Sequence, residues 1–366
     1  MKLRLLIGCL LCASITTGCG TANKTVAYAS EGGCALDSDI NSGGGTDDSR
    51  CLQSAINRLI SSGGGTLVID RVALVSNANV TGSQTTALQT GSNVTIDATG
   101  GGVFLADHSN CPILGNAISG NPAATFETGM KVVGGVWNGN SANQDKHENA
   151  DRNREWVFGF WFGGFDGLTL EGVTIRNSKT FSLVLSNGNN FVIRDTTSTW
   201  DDALAVNTHQ GNNRDGIHMY GTLSNGSIYN YSSNGDDDVL AFNTNEGVLD
   251  YANNPSRWMI DRMPWSGGEI SNVYVDGVIF NGSSNGVRWI GYPTPMGVAA
   301  LDNITLRNIG GTIVETPMQN SGITSAGPIT IDGWQVKGPY NSINVPKSTN
   351  LVLSNILPGV VVTVGP

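Results

Sequence analysis

Charge is scarce in this 366-residue chain. Lys, Arg, Asp and Glu together make up 14% of it, with 20 basic against 30 acidic residues and a net charge of −10. Such a chain has no basic stripe to neutralise phosphates, which excludes nucleic acid as the partner. Histidine is scarcer still, at four residues. No Cys-x-x-Cys pair or His cluster follows the first 30 residues, so neither a metal site nor a cofactor is expected. No apolar run reaches the roughly 20 residues that a membrane-spanning helix needs. What is abundant is glycine, 49 residues, alongside Asn, Ser and Thr. These residues favour turns and weaken helices, so a turn-rich β protein is expected. A hydrophobic content of 39% is enough to build its core.

The N-terminus reads as a secretion leader. Met1 to Arg4 is basic, Leu5 to Ile15 is apolar, and small residues follow. Two processing sites compete. Thr16-Thr17-Gly18-Cys19 resembles a bacterial lipobox, with Thr16 where a larger aliphatic residue is usual. Ala27-Tyr28-Ala29 fits an A-x-A site. The leader is taken as residues 1–29, with 30–366 as one domain. The product is expected to be a monomer, either freely secreted or anchored to the bacterial envelope through lipid on Cys19. In that oxidising compartment Cys34 and Cys51 are the expected disulfide, fastening the N-terminal segment, and Cys111 is left as a buried small hydrophobe.

Leu52, Ala55, Ile56, Leu59 and Ile60 recur at helical spacing, with Asp48 or Ser49 as the cap and Gly63-Gly64-Gly65 as the stop. After this helix the chain turns into short strands. Phe191 follows Leu168 by 23 residues, Ile329 follows Ile304 by 25, and Leu351 follows Ile329 by 22. A sandwich needs no steady period, whereas a stack of coils does. The expected fold is all-β: a right-handed, single-stranded parallel β-helix with the N-terminal helix capping its open end. Asn177, Asn187, Asn230, Asn272, Asn281 and Asn308 suit its tight bends. Gly139–Trp156, Thr196–Asn213 and Glu246–Trp265 interrupt the period and are expected to wall a substrate groove.

The chemistry concentrates between Asn213 and Asn243. Two short apolar strands, Ile217–Tyr220 and Val239–Phe242, are each entered through aspartate: Asp215 before the first, Asp237 and Asp238 before the second. One coil apart, the three carboxylates crowd one patch. Like charges that close push their pKa values apart, which supplies a carboxylic acid and a carboxylate base at one pH. A second pair, Asp201-Asp202, precedes a similar sequence and is read as turn chemistry. Trp156, Phe158, Trp161 and Phe165 are read as core packing, with a sugar-stacking platform as the alternative.

Asn213-x-Asp215-Gly216, Asp237-Asp238-x-x-Ala241 and Asn285-Gly286-Val287-Arg288 occur in the order of the motifs of family 28 glycoside hydrolases, the polygalacturonase group, and resemble them. The Thr46-Asp47-Asp48 entry and its following Gly-Gly-Gly-Thr resemble the wider pectate-lyase-like β-helix superfamily. The resemblance implies hydrolysis of a polysaccharide glycosidic bond with inversion. Asp237 is the implied acid, and Asp215 with Asp238 the implied base pair that activates water. Counting from Gly235 would instead choose Asp236; counting back from the strand chooses Asp237 and Asp238, and Asp236 falls to substrate binding. Two departures stand out. The family's Gly-His-Gly is missing, with Gly267-Gly268-Glu269 in that interval. Its Arg-x-Lys reads Arg288-Trp289-Ile290, and without the Lys a neutral or differently charged sugar replaces galacturonate as the expected substrate. Arg288, Trp289 as a stacking face, and His218 in the same column as Arg288 are the remaining candidates for substrate contact. A polysaccharide lyase on the same fold and a non-catalytic glycan-binding protein are the competing readings.

Overall fold

A computed structural model describes residues 25–81, 85–117, 126–145, 158–201, 214–244, 268–291 and 300–365. Their strands form one continuous sheet of parallel pairings, wound as a right-handed parallel β-helix. The first strand is β1 (Val26–Tyr28). The helix α1 (Ser49–Ser61) follows, then β2 (Gly65–Val68). The spacings seen in the sequence are coil repeats: Leu168 pairs with Phe191, Ile304 with Ile329, and Ile329 with Leu351.

In-register parallel stacking lines identical faces up in columns. One inward column runs Leu88, Leu114, Phe160, Leu183, Ile217, Leu240, Val287, Met318, Ile343 and Val362, each paired to the next. Strand alternation sends every second side chain into this core. The sheet face that carries this column is the one the carboxylates border.

Bends between faces need left-handed backbone. Asn177, Asn187, Asn230, Asn272 and Asn308 all adopt φ between 48° and 54°; Asn281 does not. Asparagine tolerates this region because its short amide bonds locally. Here those amides also join coils: Asn230 Nδ2 donates to Asp195 and Asn308 Nδ2 to Asp276.

α1 buries Leu52, Ala55, Ile56 and Leu59 over the first coils, while Ile60 stays 38% exposed. Asp48 stands at its N-cap without capping it. Its carboxylate instead accepts the N–H groups of Ala35 and Leu36 and pins the preceding loop. The Cys34–Cys51 disulfide ties the same loop to α1, and Cys111 is free and buried. β1 pairs with β2, and Ala29 is buried. A leader ending at residue 29 would take this strand with it.

Candidate active site

Three coils meet at the entrance to the site sheet. Gly216 N–H donates to the Asp238 carbonyl, and Asn285 N–H donates to the Asp237 carbonyl. Ile217 pairs with Leu240 and Leu240 with Val287, so Asp215 and Asp238 hold equivalent places two residues before their strands' inward positions. Gly216 is required there: a Cβ would stand 2.4 Å from Tyr231 Oη and 2.5 Å from the Val239 carbonyl oxygen.

The result is an acidic cluster. Asp215, Asp237 and Asp238 each contribute an oxygen, all within 4.8 Å of one another. Any two of these oxygens can share one water, each accepting one of its two O–H groups at about 2.8 Å. Asp215 and Asp238 are buried at 1% and 2% exposure. Asp237 is half-buried and is the member of the trio that reaches solvent. Asn285 Nδ2 donates to Asp237 Oδ1 at 2.9 Å. The Arg288 guanidinium lies 3.5 Å from Asp238 Oδ2, and its Nε donates to Ser321 Oγ.

His218 lies in one column with Ala241 and Arg288, as alternation predicts. It is, however, only 2% exposed, so it presents no face to a substrate. Its Nδ1 is 2.5 Å from Asp215 Oδ2, and its Nε2 is 3.0 Å from Asn243 Nδ2. Phe181 and Tyr220 stack on the imidazole at 4.3 and 4.0 Å between ring centroids. Burial pushes its pKa well below the usual histidine value, and the charge of Arg288 adds to the effect.

One further expectation is corrected. Trp289 is fully buried and packs on Phe242 at 4.8 Å inside the core. With Arg288 pointing out, strand alternation forces its neighbour in. Asp236 accepts the Arg214 N–H at 3.0 Å and stands beside the clustered trio without joining it. Asp201 is structural, holding Arg176 and Asn177 of the preceding coil. Phe158, Trp161 and Phe165 are buried. Asn213, Asp202, Trp156 and most of the expected groove-walling segments, including all of 246–265, lie outside the described residues.

The absent Gly-His-Gly also has a structural counterpart. The strand Asp238–Asn243 pairs directly with the strand bearing Arg288, so no coil intervenes to carry a histidine. Residues that sequence reasoning missed are Phe181, Tyr220 and Asn243, which clamp His218, and Arg214, 5% exposed beside Asp215. Asn243 was readable, since it sits two residues past Ala241 on the same face.

Coil stacking and a carboxylate cluster at the lip of one sheet define the class, a parallel β-helix protein with an acidic site. The chain belongs to the glycosyl hydrolases family 28, whose model matches residues 66–256, just over half its length and inclusive of all three aspartates. No curated protein matches the chain. Among solved structures, it is similar to a tailspike protein variant of E. coli bacteriophage HK620 in complex with a pentasaccharide. The identity is 13% and the TM-score 0.58, covering 89% of this chain and 62% of that one. A second variant of that tailspike, in complex with a hexasaccharide, matches at 14% identity and TM-score 0.53, covering 89% and 61%. The chain thus spans about three fifths of the tailspike's length. At these identities the likeness concerns the fold.

Proposed function

We propose that the protein is a glycoside hydrolase that cleaves a polysaccharide by inverting acid–base hydrolysis. The observation that carries the hydrolase reading is the convergence of Asp215, Asp237 and Asp238 to within 4.8 Å; inversion is taken from the family likeness. Asp237, the solvent-reaching member, protonates the leaving glycosidic oxygen. Asp215 and Asp238 hold water between them and take its proton as it attacks the anomeric carbon from the opposite side. Arg288 supplies the positive charge beside Asp238. Three carboxylates this close cannot all ionise cheaply, which leaves a proton for the acid.

The substrate is proposed to be a neutral glycan rather than galacturonan. Ile290 occupies the place of the family's lysine and is buried, and Arg288 is engaged by Asp238 and Ser321. We also propose processing at Cys19 with a lipid anchor, because cleavage after Ala29 would remove β1.

The test is a panel of neutral and uronate polysaccharides assayed for new reducing ends. Release from a neutral glycan, with no unsaturated product and with the anomeric configuration inverted, is expected. An unsaturated product would instead indicate a lyase. Binding without release from any glycan would indicate a non-catalytic protein.

A further inference from the structure

We propose that His218 is a positioning residue: a neutral imidazole whose Nδ1–H holds the Asp215 carboxylate in its working orientation. The proposal rests on the hydrolase reading, in which Asp215 is half of the base pair.

Three coils build this device. His218 follows Asp215 by three residues and reaches back to its Oδ2 at 2.5 Å. Asn243, on the next coil, presents Nδ2 to the other ring nitrogen at 3.0 Å. A neutral imidazole has one N–H and one acceptor. With Asn243 donating to Nε2, the proton resides on Nδ1 and points at Asp215. Phe181, from the preceding coil, and Tyr220 stack on the ring and fix its plane.

Asp215 itself lies in the short stretch before the strand Ile217–Ser233, followed by a glycine. Its backbone is held, since its carbonyl accepts Ser182 N–H, but its χ angles need a side-chain partner. Misplacement of a reacting group by about 1 Å costs on the order of 10²-fold in rate. At 2% exposure His218 does not touch substrate, so its effect passes through Asp215.

Two variants separate positioning from packing. His218→Phe keeps an aromatic ring between Phe181 and Tyr220 but removes the donor. His218→Asn loses the ring but places Nδ2 the same number of bonds from Cβ as Nδ1. The expected result is a kcat lowered about 10²-fold in His218→Phe, with KM within a few-fold of wild type, and a partial recovery of kcat in His218→Asn. A His218→Phe enzyme with wild-type kcat, or one more active than His218→Asn, would overturn the role. ¹⁵N NMR of the histidine rings in the wild-type protein provides a readout independent of turnover, with four histidines to assign. It should show His218 protonated at Nδ1 and bare at Nε2; the opposite tautomer would overturn the proposal whatever the kinetics. A wild type inert on every glycan would sink the hydrolase reading and this role with it, while NMR would still report the hydrogen bond.

Discussion

His218 gives the site a pH signature. Its folded-state pKa is depressed by burial, with Asp215 and Arg288 as the charged groups near it. As pH falls below about 6.5, the unfolded chain takes up a proton that the folded chain refuses. The stabilisation is therefore fully present above pH 6.5 and is lost as pH drops through the folded pKa. The slope approaches about 1.4 kcal/mol per pH unit. Urea midpoints at pH 7 and pH 5 should differ more for wild type than for His218→Phe; an equal drop in both would contradict this assignment. The stacking of Phe181 on His218 was not legible in the sequence, because Phe181 reaches the ring only through coil packing. Trp289 is the opposite case. The alternation that pointed Arg288 outward also buried its neighbour, and the stacking role given to it set that rule aside.

At the scale of strands and turns, the strand register selects the same three aspartates that lie close together. Asp238 is the first residue of its strand and Asp237 the residue before it, so aligning on Val239-Leu240-Ala241 brought together the trio that clusters. Asp236, one step further out, belongs to the loop. The turn at Gly216 makes this register possible by letting one coil approach the next closely. Gly216→Ala forces a Cβ against the Val239 carbonyl, a backbone atom that cannot yield without moving the coil. The expected cost is about 1–3 kcal/mol of stability, together with a loss of activity, because Asp215 is the adjacent residue. Wild-type stability and activity in that variant would show that the coils have slack here. The direct pairing of the Asp238 and Arg288 strands was not legible, since the interval 239–287 is long enough for another coil and nothing in its composition says otherwise.

The whole molecule is a stack whose period was visible wherever consecutive coils are short and was hidden where segments interrupt them. Its first coil begins before the A-x-A site. The mature N-terminus, read by mass spectrometry, is therefore expected at Cys19, carrying lipid; a chain starting at Ser30 would contradict the place of β1 in the fold. The stack serves the site by anchoring three acidic side chains of two adjacent coils at the start of paired strands, one of them, Asp238, on its strand. The proposed acid–base hydrolysis rests on this trio, with Asp237 as the acid. The most direct test is the rate of reducing-end release by Asp237→Asn beside wild type, on the first glycan that wild type cleaves. A loss of about 10³-fold, the scale of a general acid's contribution, is expected, in a protein that still folds and binds the glycan. Hydrolysis by Asp237→Asn at the wild-type rate would contradict it.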